Sequence, residues 1–360
     1  MKSIKSMKIL FVLPSLRAGG AERVISFLAR SLHENNQEVT LLVLGFEKDK
    51  VFETGNLTIV YLNRDRLLFS VFDIIKAIKK TKPTIVFSSI AHVNIVMALT
   101  SYFFKNIKFI AREASVLSIM SKYGDYKSRF LKKIIRLTYK NLDAIVCQSL
   151  DMKNDFIANF NINTNKLHVI GNPITMQLLD SNKIEETSRN KIKFITIGRL
   201  SEEKGHSRII KGLSKIVNYD FHYTIVGDGL MGDQIKNEIM KNNLQDKVTF
   251  IKHTSKVLDE INKNDYFLQG SYVEGFPNSV LESCSIGVPV IAFDCPGGTK
   301  DIIINGENGF LVEDQTEFDR LLINLDTINK PQTEIVKKYV WSNFAPKEIV
   351  SKYHDLFNLQ

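Results

Sequence analysis

The sequence predicts an α/β fold of two Rossmann-like domains facing each other across a cleft, and three observations predict it. Short runs rich in Ile, Val, Leu and Phe recur along the 360 residues, each followed by a polar loop and then by apolar residues at helical spacing. The runs are continuously apolar, so both faces of each strand are covered, and alternation with helices makes the sheets parallel. The pattern is interrupted at HVIGNPI (168–174), where Gly171 and Pro173 break the chain and the charge balance changes.

Taken in order, the first-half strands are expected at KILFVL (8–13), VTLLVL (39–44), TIVYL (58–62), TIVFSS (84–89), KFIARE (108–113) and DAIVCQ (143–148). Those of the second half are expected at KFITIG (193–198), HYTIVG (222–227), VTFI (248–251), DYFLQG (265–270) and PVIAFD (289–294). The resulting domains are 1–172, which is basic, and 173–340, with a helix in 341–360 expected to pack back on the first. Lysines before ILFVL resemble a signal peptide, but Pro14 ends that apolar run too early for a secretory segment. The stretch IAHVNIVMALTSYFF (90–104) is too short to cross a bilayer and contains His92 and Asn94. A soluble or peripheral, cytoplasmic protein is expected.

A composition of 44% hydrophobic and 24% charged residues belongs to a folded globular chain. Cys147, Cys284 and Cys295 have neither metal-ligand spacing nor the even count of a disulfide framework, which suits a reducing compartment. Residues 1–171 carry 26 Lys and Arg against 13 Asp and Glu, or +13, and residues 172–360 carry 22 against 26, or −4, so the positive charge behind the net +9 belongs to the first half. That asymmetry points to an anionic partner for the first domain.

In parallel sheets ligands sit outside the carboxyl ends of strands, so the loops that follow strands carry the function. Gly19 and Gly20 in PSLRAGGAER (14–23) let a backbone come close, and the amides of the helix start suit a phosphate or carboxylate. The loop lacks GxGxxG, which counts against a nicotinamide dinucleotide. In GRLSEEKGHSR (198–208), Arg199 and Lys204 suit a diphosphate, unless Glu202 and Glu203 neutralise them. In SYVEGFPNSVLES (271–283), Pro277 suits a first helical turn, so the helix starts near 277 or 278. Glu274 then precedes the helix and Glu282 lies on its second turn, as acceptors for sugar or ribose hydroxyls. DCPGGTKD (294–301) is a fourth turn, for ligand contact or for strand-to-helix connection.

GGAER, GRLSEEKG, VGDG (226–229), EGFPNSVLES and GVPVIAFDCPGG, in this order, resemble the retaining glycosyltransferases of family four, which have the GT-B fold. The resemblance spans nearly the whole chain and implies a nucleotide-sugar donor, a UDP-sugar by preference, bound mainly by 173–340, with 1–172 as the acceptor-binding domain and no metal or other cofactor. It implies that Arg199 and Lys204 hold the diphosphate, Glu274 the donor sugar and Glu282 the ribose. Backbone amides among Gly275, Phe276, Pro277, Asn278 and Ser279 add contacts, Pro277 lacking an N–H of its own, and Gly19 and Gly20 close over the diphosphate. His92 matches a histidine that many relatives place beside the transferred sugar. The base would lie near FIKHTSKV (250–257), where Lys252 stands in place of the usual glycine.

The segment KYGDYKSRFLKKIIRLTYK (122–140) sets Lys127, Arg129, Lys132, Lys133 and Arg136 beside an apolar stripe, which suits a helix on anionic lipid or one packed on the core with a solvated basic side. DIIKAIKKTK (73–82) is a second basic segment, able to meet a lipid diphosphate. Similar transferases extend polyprenyl-diphosphate-linked glycans at the inner face of the cell membrane, in surface polysaccharide, capsule or lipopolysaccharide synthesis. The partners expected are therefore a nucleotide-sugar donor, a lipid-linked or glycan acceptor and an anionic membrane surface. No zinc spacing or RNA-binding signature supports nucleic acid. A GT-B sugar-nucleotide epimerase is the alternative enzyme, and a non-catalytic basic membrane or nucleic-acid binder the alternative outside catalysis.

Overall fold

The computed structural model describes residues 7–120, 122, 129–176 and 191–359. It divides into two compact units, one of residues 1–175 and 346–360 and the other of residues 176–345. Lys127 lies outside the described residues, as does the side chain of Arg129.

The first unit is a seven-stranded parallel sheet in the order β3-β2-β1-β4-β5-β6-β7. Its strands are β1 (Lys8–Leu13), β2 (Glu38–Val43), β3 (Thr58–Tyr61), β4 (Ile85–Ser89), β5 (Lys108–Arg112), β6 (Ala144–Cys147) and β7 (Leu167–Val169). Between them run α1 (Gly20–Glu34), α2 (Val71–Thr81), α3 (Ala91–Thr100), α4 (Leu117–Met120), α5 (Arg129–Thr138) and α6 (Leu150–Asp155). β4 is buried along its whole length and β1 at all but its first residue, as unbroken apolar strands covered on both faces must be. The steps β3 to β4, β4 to β5 and β5 to β6 advance one way across the sheet. Right-handed crossovers therefore place α2, α3 and α5 on one face, and α1, whose step runs the other way, on the opposite face.

The second unit is a six-stranded parallel sheet in the order β10-β9-β8-β11-β12-β13. It contains β8 (Ile192–Ile197), α7 (His206–Leu213), β9 (Phe221–Val226), α8 (Gly232–Lys241), β10 (Val248–Ile251) and α9 (Val257–Asn262). β11 (Tyr266–Gln269), α10 (Asn278–Ser285), β12 (Val290–Phe293), α11 (Thr299–Ile302), β13 (Gly309–Val312), α12 (Gln315–Ile323) and α13 (Thr333–Phe344) follow. Its core joins Phe194, Phe221, Tyr223, Leu268, Phe293 and Phe318. The last helix, α14 (Pro346–Asn358), belongs to the first unit, where it packs on α1 and brings Tyr353 and Phe357 to 5.7 and 5.6 Å from the Phe87 ring.

Each sheet reverses its order once, between β1 and β4 in the first and between β8 and β11 in the second. Crevices for ligands form at such switch points, at the carboxyl ends of the strands. The loops that open there, and the helix starts they lead into, hold Gly19 and His92 in one unit, and Arg199, Lys204 and Glu274 in the other.

Candidate active site

Lys204 and Glu274 are 70 residues apart in sequence, and the adjacency of β8 and β11 brings them together. Lys204 Nζ donates to Glu274 Oε1 at 2.6 Å. Ser271 Oγ donates to the same oxygen at 2.7 Å, and Gln269 Nε2 at 3.3 Å. Thr299 Oγ1 in turn donates to Gln269 Oε1 at 3.2 Å, so the carboxylate is fixed from behind. Glu274 is 9% exposed, and Lys204, Ser271, Gln269, His206 and Ser279 line the same recess with it. A half-buried pair with several further donors contributes little net stability, but it holds charge in a set place.

Glu202 and Glu203 do not neutralise this lysine. Glu203 Oε1 instead accepts from Ser201 Oγ at 2.6 Å, and its carbonyl from the Tyr272 amide at 2.8 Å. Arg199 is exposed at the end of β8, and no carboxylate among the described residues pairs with it. One cation is thus engaged with the acid and the other faces solvent.

The turn EGFP ends where the sequence predicts, with Pro277 as N-cap and α10 opening on Asn278. The amides of a first helical turn have no carbonyl partner within the helix and carry the positive end of its dipole. Phe276 anchors the turn by packing on Phe344, 5.2 Å between ring centroids. Glu282 is 4% exposed on α10 and does not line the recess of Glu274. The two acids therefore occupy different surroundings.

DCPGG supports this turn from below. The Glu274 amide donates to the Pro296 carbonyl at 3.0 Å and the Gly298 amide to the Gly275 carbonyl at 2.9 Å. Gly297 has φ +130°, and a Cβ there would lie 1.8 Å from the Glu274 carbonyl oxygen. Only glycine permits so close an approach.

Sequence reasoning missed Gln269, Ser271 and His206. Gln269 had a signal, as a polar residue closing the apolar run YFLQ. His206 is buried at the start of α7, its Nε2 3.4 Å from the Arg199 carbonyl oxygen, and burial lowers its pKa to about 4. It is therefore neutral. Lys252 bonds Asp228 at 3.1 Å on the exposed rim after β10, which holds the Asp228 carboxyl below its ordinary range.

In the first unit α1 opens at Gly20 with Gly19 as an extended N-cap, and the Glu22 carboxylate folds over Gly19 so that a Cβ there would meet it at 2.1 Å. Arg17 pairs with Asp49 at 2.8 Å. His92 is exposed on the first turn of α3, yet partial desolvation of its ring lowers its pKa below the ordinary imidazole value. On α5, Lys132, Lys133 and Arg136 are exposed, with Lys132 donating to Asn159 Oδ1 at 3.0 Å. No group of three or more His, Cys, Asp or Glu side chains gathers as a metal site among the described residues.

Residues 18–178 match Glycosyltransferase Family 4, and residues 180–337 match Glycosyl transferases group 1. The chain is 24% identical over 315 residues to N-acetylgalactosamine-N,N'-diacetylbacillosaminyl-diphospho-undecaprenol 4-alpha-N-acetylgalactosaminyltransferase of Campylobacter jejuni, covering 84% of this chain and 85% of that one. It is 23% identical over 359 residues to the amylovoran biosynthesis glycosyltransferase AmsD of Erwinia amylovora, covering 98% and 99%. Among solved structures, Anabaena HepE in complex with UDP-glucose matches with a TM-score of 0.81 at 19% identity, covering 98% of this chain and 100% of the other. The chain belongs to the family-four glycosyltransferases and has their GT-B fold, as its motifs suggest.

Proposed function

We propose that this glycosyltransferase moves a hexose or N-acetylhexosamine from a UDP-sugar, with retention and without a metal, to a growing polyprenyl-diphosphate-linked glycan in surface polysaccharide assembly. The observation that carries the reading is the half-buried Lys204–Glu274 pair at the switch point of the second sheet, with the uncompensated Arg199 on the loop that holds Lys204. The solved relative with UDP-glucose supports the donor class, and the name of the Campylobacter relative supports a lipid-diphosphate acceptor.

In this reading Glu274 accepts hydrogen bonds from donor-sugar hydroxyls and Glu282 from the ribose, while the first amides of α10 meet the phosphates. Negative charge grows on the diphosphate as the bond from sugar C1 to the phosphate oxygen breaks. Arg199 and Lys204 stabilise that charge, and because they are already in place little reorganisation is needed during the reaction. The acceptor hydroxyl oxygen bonds C1 on the face the diphosphate leaves, and its proton passes to a departing phosphate oxygen. His92, Gly19 and Gly20 are the first unit's proposed contribution. The basic face of that unit is proposed to meet an anionic membrane, at its cytoplasmic side. No helix among the described residues is long and apolar enough to cross one.

Thermal-shift measurements over UDP, GDP and their sugars should show stabilisation by the donor family. Lys204→Ala and Glu274→Ala should each lower turnover by about 100-fold or more while the melting curve stays cooperative. Near-normal turnover in both variants would sink the reading. Conversion of the donor to an epimeric sugar nucleotide without any acceptor glycan would favour the epimerase, and release of UDP only when an acceptor is present would favour the transferase.

A further inference from the structure

The turn between β4 and α3, which leads into His92 on the helix's first turn, is strained. Ile90 has φ +78° and ψ +129°, a left-handed backbone on a β-branched residue, and it is the N-cap of α3. Such conformations persist only where the surroundings enforce them, and they gather at functional sites. Here a buried polar cluster enforces it. Asn94 Nδ2 donates to Glu113 Oε1 at 2.5 Å and to the Arg112 carbonyl at 3.0 Å, while Asn94 Oδ1 accepts from Ser88 Oγ at 2.8 Å. The Tyr139 hydroxyl donates to Glu113 Oε1 and lies 3.4 Å from the Ala91 carbonyl oxygen. The Ile90 amide donates to the Arg112 carbonyl at 3.3 Å, and Gln148 Nε2 to the Glu113 carbonyl at 2.5 Å.

Every side chain of this cluster is buried, from Ser88 on β4 and Asn94 on α3 to Glu113 after β5, Tyr139 after α5 and Gln148 after β6. The elements converge on one carboxyl group beside the first sheet's switch point. His92 is bracketed, since Ala91 before it and Asn94 after it both touch the cluster. Apolar side chains could fill this volume at lower desolvation cost, but only an acceptor for two donors fixes the helix start in one rotation.

We propose that Glu113 is a positioning residue that holds the strained Ile90 turn and so orients His92 for sugar transfer. The proposal rests on the role given to His92 above. Glu113→Ala should lower kcat by about 10- to 100-fold with the donor KM within about 2-fold, because most of the proposed donor contacts lie on the second unit and Glu113 touches neither Gly19 nor Gly20. Glu113→Gln keeps an oxygen that accepts from Asn94 and Tyr139, so it should recover most of that loss. The double variant His92→Ala/Glu113→Ala should be no slower than His92→Ala alone. Independent losses in the double variant, a Gln variant as poor as Ala, or wild-type kcat in Glu113→Ala would each overturn the proposal.

Should Glu113→Ala fail to fold, Tyr139→Phe removes one donor and keeps the ring, and kcat should fall by about 3- to 10-fold. An unchanged kcat in that variant would count against the proposal. NMR titration of the His92 imidazole gives a readout without turnover. Its chemical shifts and pKa should move in Glu113→Ala, or in Tyr139→Phe where Ala does not fold, and return in Glu113→Gln. If the wild type transfers no sugar, the functional reading falls, and an unmoved His92 resonance still decides against the positioning role.

Discussion

Glu113 shows what burial does to one residue. At 1% exposure it accepts hydrogen bonds from neutral donors, Tyr139 and Asn94, with the neighbouring Arg112 and the thiol of Cys147 as the other titratable groups around it. Burial pushes its pKa from 4.5 up to about 7, against the smaller opposing effects of those hydrogen bonds and of Arg112. The folded chain then binds the proton more tightly than the unfolded chain. Between pH 4.5 and 7 folding is coupled to proton uptake, so stability falls as pH rises through that window and is level above it. The effect is on the order of 3 kcal/mol for an isolated carboxyl of this kind. Glu113→Gln has no such proton. Its melting temperature should gain on the wild type between pH 5 and pH 8, and a constant gap across that range would refute the assignment.

At the scale of elements, the two loops EGFP and CPGG form one unit. A Cβ at Gly297 would meet the Glu274 carbonyl at 1.8 Å, whereas Gly306, also at positive φ (+82°), has nothing within 4 Å of a Cβ. Gly297→Ala should therefore cost more than about 2 kcal/mol and weaken UDP binding, while Gly306→Ala should cost about 1 kcal/mol from backbone strain alone. Melting curves and UDP titrations of the two variants check this, and equal losses would contradict it. The sequence offered EGFP as a helix start because Pro277 has a local meaning, but it left CPGG open between ligand contact and connection. The support CPGG gives depends on contacts across 20 or more residues, which no local pattern encodes. The same holds for Lys204 and Glu274, whose meeting requires β8 beside β11. Apolar runs marked every strand except β7 and β13. Both are edge strands paired on one side, the first only three residues long with His168 inside it and the second opening on Gly309. An edge strand has less need of the unbroken apolar run that marks a covered one. Strand order, and with it the switch points, was not written in any run.

For the whole molecule the uneven charge acquires a direction. The positive balance lies in the first half, and right-handed crossovers put α2, α3 and α5 on one face of its sheet. Lys76, Lys79 and Lys80 on α2 and Lys133 and Arg136 on α5 are exposed, with no carboxylate among the described residues paired to them. Asp73, the acid of α2, is taken by Arg64 at 2.8 Å. Large apolar side chains stand among these cations, Phe72 84% exposed and Phe130 70% exposed. Cations together with exposed aromatics fit an anionic bilayer, each Lys or Arg near its surface adding about 1 kcal/mol and each aromatic an apolar anchor. The protein should sediment with vesicles of anionic lipid, not with neutral ones, and should be released near 0.5 M salt, where a Debye length of about 4 Å screens the attraction. Lys76→Glu/Lys79→Glu/Lys80→Glu should lower vesicle affinity by about 100-fold or more. Phe72→Ser/Phe130→Ser should weaken binding while leaving its salt dependence unchanged, since it removes area and no charge. Equal binding to neutral and anionic vesicles would show that charge does not direct this face to the membrane, and absence of binding to either would remove the membrane from the reading.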